Sequence, residues 1–215
     1  MNSTPHDGRR RTFVASALCA TLPLAGGWPL AARAAAVGQP APAFTLMDTA
    51  GRRVSLSDFK GRHVVLEWIN PGCPFVQKHY QAQNMQATQK RAADRGVAWL
   101  AINSTATQAR DYLAPEAMAA WMNSQKAQAT ATLMDADGKV GRAYDARTTP
   151  HMYLIDPQGR LIYAGAIDSK PTANPADIAT AVNHVDVALA EALAGRPVSV
   201  PVTRAYGCTV KYASG

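Results

Sequence analysis

Cys73 stands in Asn70-Pro71-Gly72-Cys73-Pro74-Phe75, between a β-rich apolar run at 64–69 and a helical composition at 74–95. A cysteine at the start of a helix meets unpaired backbone N–H groups and the positive end of the helix dipole. Both stabilise a thiolate and make a nucleophile near neutral pH. The commoner fate of a lone cysteine is an inert thiol in a core, but such a residue belongs inside 64–69 and not on the turn that follows. Cys208 lies near the other end of the chain, in Tyr206-Gly207-Cys208-Thr209-Val210-Lys211-Tyr212. An exposed, glycine-flanked cysteine on a mobile tail suits the resolution of a mixed disulfide or sulfenate on Cys73, within one chain or across a dimer. The alternatives are a static Cys73–Cys208 bridge and a Cys208 that never meets Cys73, since bridging needs Cα atoms within about 7 Å. His79 in the second helical turn and Arg147 further along are candidates to bring positive charge to the thiolate; the alternative for each is a solvated surface residue. His63 and His184 join no constellation. No metal site and no cofactor is expected.

These residues need elements to hold them. The run Val64-Val65-Leu66-Glu67-Trp68-Ile69 reads as a strand buried on both faces, stopped by Asn70-Pro71-Gly72. The helix predicted over 74–95 has Pro74 at its first position and Gly96 as its terminator. A second buried run follows at 97–102, and strand, helix, strand implies a right-handed parallel crossover. The Gly- and Pro-rich stretch 37–61 holds two short strands. Further on come a helix near 115–126, a strand near 130–134 and a short helical stretch to Tyr144. The runs 151–155 and 161–164, joined by Asp156-Pro157-Gln158-Gly159, read as an antiparallel hairpin. A last long helix is expected from the Asn174 cap and Pro175 to Gly195, with Ile178, Val182, Val185, Leu189 and Leu193 as one apolar stripe. The fold class is therefore α/β: a βαβ unit followed by ββα, giving a mixed central sheet with helices on both faces.

With 215 residues, 47% hydrophobic and 17% charged, the chain suits one domain. Residues 1–36 read as a cleavable export signal: Arg9-Arg10-Arg11, then a mildly apolar stretch broken by Gly26, Gly27 and prolines, with cleavage placing the mature start near Ala35 or Val37. Arg10-Arg11-Thr12-Phe13-Val14 resembles the twin-arginine signal, with a Sec signal as the competitor. Cys19 leaves with this segment. The expected parts are the signal at 1–36, one domain at 37–200 and a tail at 201–215 carrying Cys208, in an exported, periplasmic protein without a stable membrane anchor. Charge points the same way. The net +7 drops to +4 once Arg9, Arg10, Arg11, Arg33 and Asp7 are removed, and the remaining basic residues are scattered, so a nucleic-acid partner is not expected.

Glu67 to Val76, with Gly38-Gln39-Pro40-Ala41-Pro42-Ala43-Phe44 upstream and Thr149-Pro150-His151-Met152-Tyr153-Leu154-Ile155-Asp156 downstream, resembles the AhpC/TSA redoxin group of the thioredoxin superfamily. The resemblance implies a thioredoxin-like fold with Cys73 as nucleophile and Thr149-Pro150 as the facing loop, where a cis bond would keep backbone groups open to a substrate. It also implies a proton-transfer role for Glu67, six residues before Cys73, with burial raising its pKa; the alternative is an acid at a strand edge paired to a surface base. Two positions depart from the family. Val76 stands where a CxxC motif has its second cysteine, and Leu66 and Asn70 stand where strict peroxiredoxins carry Pro and Thr. The resulting expectation is a thiol-disulfide oxidoreductase or thiol peroxidase acting on a disulfide or a peroxide, reduced by an external thiol or thioredoxin-like donor. A redox-inactive binding module on the same fold is the alternative.

Overall fold

The structure, a computed structural model, describes residues 1–3 and 35–213; the expected export signal, with its arginines and Cys19, lies outside the described residues. Strand β3 (Val64–Trp68) is the hub. Its parallel neighbour is β4 (Ala98–Asn103), reached through α1 (Pro74–Gln81) and α2 (Asn84–Ala93), and its antiparallel neighbour is β7 (His151–Ile155). Beyond β4 lie β5 (Ala131–Met134), β1 (Thr45–Asp48) and β2 (Arg53–Ser55); beyond β7 lies β8 (Leu161–Gly165). The sheet order is β2-β1-β5-β4-β3-β7-β8, a mixed sheet of thioredoxin-like topology.

Alternation along the strands divides the core in two. Val65, Ile69, Trp99, Ala101, Met152 and Leu154 face one side and pack against α1, α2, α3 (Pro115–Ser124) and α5 (His184–Leu193). Val64, Leu66, Trp68, Leu100, Tyr153 and Ile155 face the other and meet Val140 and Tyr144, in and just after α4 (Lys139–Ala143). Every residue of β3 and β4 is buried, as continuous apolar runs require in a strand covered on both faces.

Two expected helices are shorter than the sequence pattern. The helix predicted over 74–95 is interrupted because Gln83 adopts a left-handed conformation (φ 59°) between α1 and α2. Gln86 reaches back to donate to the Tyr80 carbonyl at 2.9 Å, an acceptor it shares with the Gln83 N–H. No Gly or Pro marks the site, so composition runs straight through it. The helix expected from Asn174 is likewise split. Asn174 caps only a short 3₁₀ turn, Pro175–Thr180, and a second cap, Asn183, accepts from the Asp186 N–H to start α5. Of the expected stripe, Val185 and Leu189 are buried, whereas Val182 is 54% exposed. Residues 201–203 run along β8, with the Ala164 N–H donating to the Pro201 carbonyl and the Thr203 N–H to the Ala164 carbonyl.

Candidate active site

Cys73 occupies the N-cap of α1 and Pro74 its first turn. Proline fits there because that N–H has no helical partner in any case. The turn is held by Asn70, whose carbonyl accepts from the Cys73 N–H and whose side-chain oxygen accepts from the Gly72 N–H at 2.8 Å. The Cys73 side chain makes no capping bond to the helix. Its Sγ instead donates to the Thr149 carbonyl at 3.0 Å, so the thiol proton points at the loop that faces it. The Thr149–Pro150 bond is cis. The Thr149 hydroxyl is buried without a hydrogen-bond partner among the described residues, which leaves it free to bond a group that enters beside this sulfur.

The tail differs from expectation. Cys208 is not on a mobile, exposed segment: it is half-buried in strand β9 (Cys208–Thr209), which pairs antiparallel with β6 (Thr148–Thr149) so that Cys208 lies opposite Thr149. The same pairing means that the backbone of the Pro150 loop is not open. The chain's own tail lies on it. Gly207 makes this approach possible. Its φ is +136°, and a Cβ there would stand 2.0 Å from the Thr149 carbonyl oxygen, the acceptor of the Cys73 thiol. Only glycine tolerates both conditions. Beyond Cys208, the Val210 N–H donates to the Arg147 carbonyl, the Ala106 N–H to the Lys211 carbonyl, and Lys211 Nζ to Asp111 Oδ2 at 2.5 Å. Asn70 also donates to Asp111 Oδ2, at 2.8 Å, tying the tail to the turn that holds Cys73. Cys73 is 1% exposed and Cys208 packs against the same apolar cluster. Burial and the neighbouring Cys73 sulfur both push the Cys208 thiol well above its ordinary range.

Glu67 is fully buried on the central strand, between β4 and β7, and no cation among the described residues pairs with it. The alternative of an edge acid with a surface base is therefore excluded by its position. It accepts from Trp99 Nε1 at 2.8 Å, Tyr80 Oη at 3.0 Å and Gln89 Nε2 at 3.2 Å. Burial raises its pKa to about 7 against the opposing pull of these donors. By strand alternation it lies on the Cys73 side of the sheet, near neutral pH in its proton affinity.

The two candidates for positive charge behave differently from that role. Arg147 is 76% exposed at its side chain and forms an ion pair with Asp145 at 2.7 Å, so its guanidinium is spent away from the thiol. His79 is completely buried, not solvated, and burial lowers its pKa to about 4, making it neutral at physiological pH. Its Nδ1 accepts from Asn84 at 2.8 Å, and its Nε2 lies 3.2 Å from Tyr206 Oη. His184 lines a cavity with Asp168, Tyr206 and Gly207, and among the described residues neither it nor His63 makes a side-chain hydrogen bond to Cys73, Glu67 or Cys208.

The sequence pattern does not announce a group beside it formed by buried Lys78 and Asp168 with half-buried Tyr206. Lys78 Nζ donates to Asp168 Oδ2 at 3.2 Å and to the Lys170 carbonyl at 2.8 Å, and Tyr206 Oη donates to Asp168 Oδ1. Lys78 and Asp168 are 0% and 1% exposed at their side chains. Nothing in a single helical lysine announces burial. The one available signal was the placement of a tyrosine two residues before Cys208.

The AhpC/TSA family model matches residues 37–164, a span that includes Glu67, Cys73 and the Pro150 loop but not Cys208. Among curated proteins, the thiol-disulfide oxidoreductase ResA of Bacillus subtilis (strain 168) is 28% identical over 162 residues, covering 72% of this chain and 84% of that protein. Two solved structures are similar over most of their length. A hypothetical protein from Sinorhizobium meliloti 1021 has TM-score 0.71 at 27% identity, covering 85% of this chain and 98% of its own. An uncharacterized conserved protein from Geobacillus kaustophilus has TM-score 0.70 at 30% identity, covering 84% and 94%. The family match and the likeness to ResA support a thiol redox function. The chain belongs to the AhpC/TSA family.

Proposed function

We propose that the protein is an exported thiol-disulfide oxidoreductase in which Cys73 and Cys208 form one dithiol assembled from distant parts of the chain. The observation that carries this reading is Thr149: its carbonyl accepts from the Cys73 thiol while its strand partner is Cys208. The position that is valine in this helix, where a CxxC motif has its second cysteine, is thereby replaced in space by a residue of the tail. The Cys73 thiolate attacks one sulfur of a substrate disulfide, a Cys73–substrate disulfide forms and the other substrate sulfur leaves as a thiolate. Cys208 gives up its proton and attacks the Cys73 sulfur. The second substrate thiolate departs, leaving the substrate reduced by two electrons and the protein as a Cys73–Cys208 disulfide. An external thiol or thioredoxin-like donor returns the two electrons. Glu67, poised near neutrality, is the group suited to accept and return the proton. Peroxide as the electrophile is less well served, because the Arg147 cation that would assist charge development at the sulfur is turned to Asp145 and solvent.

The test is trapping. Reduced Cys208→Ser protein mixed with a model disulfide should accumulate a mixed disulfide on Cys73, whereas the wild type passes on to the internal disulfide. Absence of any adduct on Cys73 overturns the reading, and faster oxidation by hydrogen peroxide than by the disulfide reassigns the electrophile. Export rests on the N-terminal 36 residues; a periplasmic form beginning at Ala35 or Val37 by mass spectrometry is the expected result.

A further inference from the structure

Tyr206 is half-buried and makes interactions that the exchange chemistry does not use. Its hydroxyl donates to Asp168 Oδ1, whose other oxygen holds Lys78. It receives His79 Nε2 at 3.2 Å and Lys78 Nζ at 3.4 Å. The orientation is fixed from one end: Asn84 can only donate to His79 Nδ1, so Nε2 carries the proton and points it at Tyr206. The Tyr206 ring meets Phe75 edge-on at 5.9 Å between centroids, and Lys78 Nζ stands 5.5 Å from the ring centre. Phe75, Lys78 and His79 are spaced i, i+3 and i+4 on α1, so they share one face of the helix that begins at Cys73. That face is given over to a residue two positions before Cys208.

From this arrangement we infer that Tyr206 is a positioning residue for the thiol exchange, a latch that sets Cys208 against Cys73 and keeps Cys73 covered until the tail lifts. The inference rests on the dithiol reading above and adds to it the device that sets the effective concentration of one thiol at the other. The two residues of β9 are held from both sides: downstream by the Val210 N–H on the Arg147 carbonyl and Tyr212 Oη on the Ala146 carbonyl, and upstream by the half-buried bond of Tyr206 to Asp168, the contact that ties the tail to the helix beginning at Cys73. Among the downstream contacts, the Lys211–Asp111 pair is half-exposed and is expected to contribute much less.

The experiment uses full-length reduced protein and Tyr206→Phe, which keeps the ring against Phe75 and removes the bond to Asp168. Two quantities are read. One is the equilibrium of the Cys73–Cys208 disulfide in glutathione buffers, where one oxidised glutathione takes two electrons from the dithiol and yields two reduced glutathiones. The other is the alkylation rate of Cys73 in a Cys208→Ser background. With the latch cut, the effective concentration of Cys208 at Cys73 should fall by about tenfold or more and Cys73 alkylation should rise by a similar factor, a pattern that loss of global stability alone does not give under native conditions. Unchanged values for both overturn the latch. So does a Lys211→Ala protein whose changes equal those of Tyr206→Phe, because the tail is then tethered along its length and not at Tyr206. Should Tyr206→Phe fold poorly, the double variant Lys78→Met, Asp168→Asn takes the charge out of the Tyr206 bond while keeping the ring, and it should move both quantities in the same direction; unchanged values there overturn the latch as well. A wild type that forms no Cys73–Cys208 disulfide in any glutathione buffer refutes the dithiol reading itself, a result distinct from an intact disulfide that ignores Tyr206.

Discussion

Two buried carboxylates bear on the active-site helix, and their surroundings are opposite. Glu67 receives only neutral donors, the indole of Trp99, the hydroxyl of Tyr80 and the amide of Gln89. Asp168 receives a hydroxyl from Tyr206 and the ammonium of Lys78. Hydrogen bonds alone leave the desolvation of a full charge uncompensated, so the Glu67 pKa climbs to about 7 and the residue becomes one that can exchange a proton. Asp168 instead has the Lys78 ammonium 3.2 Å away in the same interior, which makes it part of a buried ion pair. The first arrangement suits chemistry and the second suits holding something in place.

The largest expected effect comes from breaking the second arrangement. Lys78→Met leaves Asp168 buried without its cation and should destabilise the protein by about 3–5 kcal/mol in urea unfolding at pH 7. Adding Asp168→Asn to that variant should recover much of the loss. If Lys78→Met costs under about 1 kcal/mol, Asp168 is not held as a buried charge and the contrast with Glu67 fails.

Glu67→Gln sharpens the first arrangement through pH. A carboxyl raised to about 7 in the folded state stabilises the fold below its unfolded value of about 4.5 and loses that contribution as pH rises through 7. The shift corresponds to about 3 kcal/mol, so Glu67→Gln should gain on the wild type by up to about that amount between pH 4.5 and 8. His79 works in the same window with the other sign. Lowered to about 4, it lets the unfolded chain bind more protons between about pH 4 and 6.5, so its contribution falls on acidification. Removing Glu67 should therefore expose a stability that rises with pH across that window. A gain that does not depend on pH would show that Glu67 is not titrating near neutrality.

Smaller effects test single contacts. Tyr80→Phe removes one of the three donors to Glu67 and should cost about 1 kcal/mol, while moving the Glu67 titration to still higher pH, readable by the carboxyl resonance in NMR. Lys211→Ala cuts a half-exposed pair to Asp111 and should cost about 0.5 kcal/mol. A loss as large as that of Lys78→Met would erase the distinction between the buried and the exposed anchor of the tail.

The local signals around Cys73 were legible because they act at short range. A continuous apolar run, an Asn-Pro-Gly stop and a proline at the first helical turn specify strand, turn and helix start through steric and hydrogen-bonding preferences of adjacent residues, and β3, Cys73 and α1 stand where those preferences put them. The helices fared less well where the decisive contact came from elsewhere. Gln83 breaks the first long helix with no local breaker in the sequence, and Asn183, not Asn174, starts α5 because its side chain reaches Asp186. Glycine and proline loosen an isolated chain, so composition alone predicts a mobile tail. It is held by partners more than 35 residues away, Asp168 and Asp111 among them.

The sequence by itself determined the mixed α/β sheet, the cysteine at the helix start and the family signature, since each rests on neighbouring residues. Tertiary contacts place Cys208 opposite Thr149 and Lys78 and His79 in the interior, and among the described residues they give Asp168 a cation and Glu67 none. Whether a charge is buried, and beside what, depends on which distant segments close over it, and that information resides in no single stretch of chain.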